Sequence, residues 1–380
     1  MDTNRRRVVI IGGGYAGVKM ARDMDEFADV TMVDGKAAFF HRVASLRASV
    51  DPAWTNAPIF SYRRLLTHGT VLQDKAIGIN TAERLVELRG GRSLPYDVLA
   101  IATGADYQEP ARYSGVTVHE ATEAFRGHQQ RAARAADILV VGGGPSGVEL
   151  ASELRRTQPS TRITLAHSGP YLLSSARNRR LGRRALAWLE NHDVRVHLNT
   201  AISSGGGGPS RLIDQAGRPF SAELVFWTTG TTPNTLWLRL AGHGDWLNSA
   251  GHVRVDPHLR VHGHPDIFAV GDVNDVSEAK LSPSALAQAD AACHNMRAFL
   301  DRTAKHGSQP RPYRPAPLRV FSVPFGPGAG ATLLPVRGHG VAVFGHRVTD
   351  SIKSRTLAVP FVNELLNEPQ GEEELQKLYA

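Results

Sequence analysis

The stretch Val8-Val9-Ile10-Ile11-Gly12-Gly13-Gly14-Tyr15-Ala16-Gly17 constrains the fold of this chain more than any other. Four β-branched apolar residues in series predict a strand buried on both faces. A G-x-G-x-x-G pattern follows at once, and Val18 to Phe27 is helix-compatible. In such a unit Gly12 permits the tight turn, Gly14 lets the backbone approach a pyrophosphate, and Gly17 lets helix and strand pack closely. The helix N-terminus offers free N–H groups and a positive dipole end to phosphate. A second strand, Asp29 to Val33, ends in Asp34, whose carboxylate suits the ribose hydroxyls of an adenosine.

The same unit then recurs. Asp137 to Val141 predicts a strand, Gly142, Gly144 and Gly147 repeat the glycine spacing, and Val148 to Arg156 is helix-compatible. An internal repeat of a whole βαβ unit is stronger evidence than either copy, and two dinucleotide sites imply two nucleotide cofactors that exchange electrons. The second copy departs from the first at its second strand: Arg162 to Ala166 ends in His167, where strict NAD use calls for an acid. Arg177, Arg179 and Arg180 follow and have two readings, contacts to a 2′-phosphate or a solvated helix face. Each unit also has a closing strand ending at a glycine: Val98 to Ala102 before Thr103-Gly104, and Glu223 to Thr228 before Thr229-Gly230.

Further on, Asp266 to Val270 predicts a short strand capped by Gly271-Asp272, where Asp272 can hydrogen-bond a ribityl hydroxyl. A helix over Pro283 to Thr303 would start nearby with its positive end available. Thr81 to Arg89 with Ser93 to Pro95 suggests a β-meander, Ala121 to Arg134 a helical connector, and 203–210 a flexible turn. Residues 307–317 predict a linker; beyond it come short β segments, Arg319 to Val323 and Val341 to Phe344, and then an acidic helical tail interrupted by Pro369 and Gly371.

Composition excludes several classes. Among 380 residues, 42% hydrophobic and 21% charged is ordinary for a globular chain, and no apolar run approaches the roughly 18 residues of a membrane span. The N-terminus has no apolar signal core, and Asp2 stands where myristoylation needs glycine, so the expected place is a cytoplasm. A net charge of +8 is compatible with acidic partners or a peripheral position on an anionic membrane, or with a solvated basic surface alone. The arginines are scattered without interleaved aromatics, which argues against nucleic acid. Cys293 is the single cysteine, so no dithiol can form within one chain.

Taken in order, Gly12/Gly14/Gly17 with Asp34, Thr103-Gly104, Gly142/Gly144/Gly147, Thr229-Gly230 and Gly271-Asp272 resemble the two-dinucleotide-binding-domain flavoproteins, the pyridine nucleotide-disulfide oxidoreductase class. Within it, Phe40 to Val50, Gly147 to Ala151 and Ile352 to Arg355 are similar to the apoptosis-inducing-factor-like branch, which contains the ferroptosis-suppressing NAD(P)H:quinone reductases. The resemblance implies an α/β fold: an FAD domain over 1–108 and 236–306, an NAD(P)H domain over 109–235, and a smaller α+β domain over 307–380 that often builds a homodimer. It places cofactor contacts at Gly12, Gly14, Tyr15, Ala16, Gly17, Asp34, Lys36, Arg42, Val43, Thr103, Gly104, Gly271 and Asp272, and at Gly142, Gly144, Pro145, Ser146, Gly147, His167, Thr229 and Gly230.

FAD and NADH or NADPH carry the chemistry in this reading, so neither a protein nucleophile nor a metal is required. Reduced FAD passes electrons to a quinone or other small acceptor, because the lone Cys293 cannot support a disulfide relay. Glu149 is the candidate for nicotinamide placement, by accepting from the carboxamide; the alternative is an ordinary first-turn acid. His41 is a candidate flavin neighbour, or else a core or surface histidine. Two other functions stay open: a ferredoxin or rubredoxin reductase, and a slow NAD(P)H-binding redox sensor.

Overall fold

The apolar runs become the centres of two parallel sheets. In the computed structural model, which describes residues 5–107, 109–110, 115–204, 212–301, 309–315, 320–337 and 340–368, the strand Arg7–Ile11 pairs with Asp29–Asp34 on one edge and Val98–Ile101 on the other. Thr70–Gln73 and Ile267–Ala269 complete a five-stranded parallel sheet. The strand Asp137–Val141 is the counterpart in a four-stranded parallel sheet, between Arg162–Ala166 and Leu224–Trp227, with Val194–His197 outermost. Both central strands are buried over their last four residues, because helices cover one face of each sheet and short antiparallel strands the other: Val9 and Ile11 pack with Ile79, Val86 and Leu88, and Leu139 and Val141 with Ile202 and Leu212.

Each glycine turn opens directly into its helix. The helices run Tyr15–Met24 and Pro145–Thr157, three residues earlier than the sequence pattern suggested, because Gly14 and Gly144 are the N-caps and Pro145 suits a first helical turn. Phe27 lies beyond the first helix. The connector helix also starts early, at Val118, where Thr117 and Glu120 form a capping box. The meander is Ala76–Asn80, Leu85–Leu88 and Ser93–Pro95. Thr81 to Arg84 is a turn rather than strand, because the Asn80 side chain accepts from the Ala82 and Glu83 N–H groups. The late helix spans Ser282–Leu300 and packs along the first cradle helix. Of the turn expected over 203–210, Ser203 and Ser204 end the strand Ile202–Ser204 and the rest lies outside the described residues, as does the tail from 369.

The C-terminal segment forms a three-stranded antiparallel sheet, Phe321–Pro324, Gly330–Val336 and Gly340–Phe344, and a last helix, Val359–Leu365. Among the described residues it has no core of its own. Phe321, Val323, Phe325, Ala331 and Leu333 join the core of the second parallel sheet, whereas Leu357, Val359, Val362 and Leu365 join the first. The segment therefore straddles the two nucleotide units.

Candidate active site

The two glycine turns face one cleft. A cavity of about 330 Å³ is lined by Gly14, Tyr15 and Ala16 from the first cradle and by Pro145, Ser146 and Glu149 from the second. Arg42, Val43, Gly104, Gly271 and Asp272 complete one wall; Val320, Phe321, Ile352 and Lys353 of the C-terminal segment close the other. A second cavity of about 480 Å³ continues from Gly12 past Asp34, Lys36 and Thr103 to Lys75, Ile77, Trp237 and Leu240.

Backbone sterics shape both cradles. Gly12 and Gly142 have φ of +107° and +117°, where a side chain is strained. A Cβ on Gly17 would collide with the Gly12 carbonyl oxygen, and one on Gly147 with that of Gly142. Gly14 and Gly144 have open space around a Cβ position, which is the room a phosphate needs. These glycines fit a bound dinucleotide in each cradle.

Side chains differ between the copies. Asp34 accepts from the Gly13 N–H at 2.5 Å and from the Lys36 N–H at 2.7 Å. Tyr62, which the sequence pattern did not single out, donates to the Gly13 carbonyl. In the second copy the Gly143 N–H donates to His167 Nδ1 at 3.2 Å, and His167 Nε2 faces the Tyr171 carbonyl at 3.1 Å. His167 thus substitutes structurally for an acid with a neutral acceptor, and burial holds its pKa below the usual histidine value. Arg177, Arg179 and Arg180 are exposed, and Arg179 lies over the Tyr171 ring.

Asp272 stands on the cleft wall. Tyr107 donates to it at 2.8 Å, and the Arg42 guanidinium lies 3.5 Å away and over the Tyr107 ring. The link between the two units runs beside it: Thr103 donates to the Asn234 carbonyl, and the Asn234 amide donates back to Thr103. Gly230 has φ of +77° and Gly104 of +66°, and the neighbouring strands Ala105–Asp106 and Thr232–Pro233 pair antiparallel. Thr229 sits beside Gly142.

Glu149 is buried in the first half of its helix and accepts from Lys353 Nζ at 2.7 Å. Burial pushes its pKa up, opposed by that ammonium. His41 is not on the cleft wall; it stands behind Tyr15. The Tyr15 hydroxyl is 2.7 Å from His41 Nδ1, and His41 Nε2 faces the Leu357 carbonyl at 2.6 Å. The carbonyl can only accept, so Nε2 carries the proton and the Tyr15 hydroxyl donates to Nδ1. Burial drives the His41 pKa down to about 4. A pair missed from the sequence lies deeper: Arg47 and Glu153 meet at 2.8 Å, fully buried, and Arg47 also donates to the Ser354 carbonyl.

The description of the pyridine nucleotide-disulphide oxidoreductases matches residues 6–293. The chain belongs to that family. Membership makes it an NAD(P)H-dependent flavoprotein oxidoreductase, with FAD and a nicotinamide dinucleotide as cofactors. This family member is 29% identical to apoptosis-inducing factor homolog B of Dictyostelium discoideum over 97% of its own length and 99% of that protein's. It is 30% identical to human ferroptosis suppressor protein 1 over 78% and 81%. Its fold is similar to the sulfide:quinone oxidoreductase of Aquifex aeolicus, with a TM-score of 0.75 and 18% identity, covering 98% of this chain and 95% of that one. It also resembles putidaredoxin reductase in its covalent complex with putidaredoxin, with a TM-score of 0.63, 20% identity and coverage of 88% and 82%. No described helix is long and apolar enough to cross a membrane.

Proposed function

We propose that this chain binds FAD in the cradle of Gly12, Gly14 and Gly17, binds NAD(P)H in that of Gly142, Gly144 and Gly147, and delivers electrons to a quinone-type small acceptor. The observation that carries the reading is that both cradles open on one cleft, where Val320, Phe321 and Ile352 of the C-terminal segment present apolar surface beside Lys353. When bound, the cofactors supply hydride transfer from nicotinamide to flavin.

The residues bind and orient. Asp34 and Lys36 hold the adenosine end, Arg42 the pyrophosphate, and Asp272 the ribityl chain. Gly104, Val43, Tyr15 and Ala16 give the ring a close-fitting wall. Glu149 accepts from the carboxamide and is itself fixed by Lys353. Val320, Phe321 and Ile352 offer an apolar surface to a flat acceptor, and the first and last of these are exposed, so an acceptor has a route in. The resemblance of Phe40 to Val50, Gly147 to Ala151 and Ile352 to Arg355 to the ferroptosis-suppressing quinone reductases supports a quinone among small acceptors.

Purified protein is expected to be yellow, to bleach on adding NADH or NADPH, and to reduce a short-chain quinone at a steady-state rate well above its rate with oxygen. A colourless preparation that takes up no FAD would overturn the reading. Rapid bleaching with no quinone turnover would overturn the acceptor.

A further inference from the structure

The Arg47 guanidinium serves two sets of partners. Nε donates to Glu153 at 2.8 Å, while Nη2 and Nη1 donate to the carbonyls of Ser354 and Arg355 at 2.7 and 3.3 Å. The Trp54 ring lies against it at 4.6 Å. His41, the N-cap of the same helix, reaches the Leu357 carbonyl. Helix Arg42–Ala48 of the first nucleotide unit therefore grips three carbonyls of one short C-terminal stretch. That stretch is irregular. A π-helical turn runs over Asp350–Ser354, and Leu357 and Ala358 follow with φ of +49° and +61°. Side chains rarely adopt that conformation, and it persists where surrounding contacts impose it. Carbonyls at a helix end also need donors from outside the helix.

Lys353 immediately precedes the first gripped carbonyl. Its ammonium crosses to the second nucleotide unit, donating to Glu149 at 2.7 Å and to the Ser322 carbonyl at 3.4 Å. Lys353 and Glu149 line the cleft, whereas Arg47 is fully buried and is not on its wall. We infer that Arg47 is a positioning residue for flavin reduction: from the first unit it fixes the turn that carries Lys353, and through Lys353 it sets the Glu149 carboxylate where the nicotinamide carboxamide arrives. The inference rests on the role of Glu149 proposed above. The chain of contacts matters because a misplacement of about 1 Å can cost a reaction on the order of a hundredfold. Arginine suits the task, since its planar fork reaches a carboxylate and two carbonyls at once; a lysine ammonium has no such fork.

Arg47→Lys keeps a cation beside Glu153 and loses the fork to the carbonyls. The readout is the stopped-flow rate of flavin bleaching at saturating NADH, with FAD content measured on the same sample. Arg47→Lys is expected to retain flavin and to bleach about tenfold to a hundredfold more slowly. Lys353→Met is expected to slow bleaching at least as much. The double variant is expected to match Lys353→Met within about twofold, because the arginine acts only through that lysine. Glu153→Gln, which removes the ion pair but leaves the carbonyl contacts, is expected to bleach at nearly the wild-type rate. A full rate in Arg47→Lys or in Lys353→Met would overturn the inference. Losses that multiply in the double variant, or an equal slowing in Glu153→Gln, would also overturn it, since either gives Arg47 a merely structural role. If Arg47→Lys does not fold, Arg47→Gln combined with Glu153→Gln replaces the ion pair by a neutral one without stranding a charge, and its rate is read the same way. A full rate in Glu149→Ala would instead end the assignment on which the inference rests.

Discussion

At the residue scale, burial decides what each polar group can do. His41 is fully buried and neutral, with its pKa depressed to about 4 against an unperturbed value of about 6.5. The unfolded chain therefore binds a proton that the folded chain refuses between those values, and stability falls as pH drops through that window. The shift corresponds to about 3 kcal/mol. His41→Gln is expected to flatten the acid limb of a chemical-denaturation series between pH 6.5 and 4; an unchanged slope would show that another group carries it. Arg47 presents the opposite problem, a charge that must stay paired. Arg47→Met removes the closer of two cations from buried Glu153 and leaves it Arg156 at 3.1 Å, at an expected cost of about 1.5–3 kcal/mol, read as a lower denaturation midpoint. Glu149 serves the ligand rather than the fold in our proposal. Glu149→Ala is expected to slow stopped-flow flavin reduction by NADH about tenfold or more while leaving FAD content intact; full speed would remove it from the site.

At the scale of the element, each strand–glycine–helix cradle is a separate device. Because a Cβ at Gly17 or Gly147 meets a backbone carbonyl, the helix must move away from its strand. Gly17→Ala is expected to lower FAD content on purification. Gly147→Ala is expected to keep the flavin and weaken NAD(P)H binding, seen as a raised half-saturation in flavin bleaching. Equal loss of both cofactors in both variants would contradict two independent cradles. The cradles were the most legible part of the sequence, since β-branched runs and glycine spacing are local signals. The helix starts were less so, because Gly14 and Gly144 act as N-caps that only backbone geometry reveals.

At the scale of the whole molecule, the C-terminal segment splits its apolar residues between the two nucleotide cores and adds the Arg47–Ser354 and His41–Leu357 contacts. Such sharing makes independent unfolding of that segment unfavourable. Calorimetry is expected to show no separate early transition for it; a resolved low-temperature peak lost on removing residues after 319 would refute this.

The chain's own letters determined the two parallel sheets, the glycine turns, the absence of a dithiol and the candidate acids Asp34, Asp272 and Glu149, because those depend on residues near one another along the backbone. Tertiary structure alone decided that Tyr62 buttresses Asp34, that Tyr107 and Arg42 meet Asp272, that Lys353 reaches Glu149, and that His41 stands behind Tyr15. These partners lie tens to hundreds of positions apart, and no local periodicity encodes a contact whose geometry exists only after both sheets have packed.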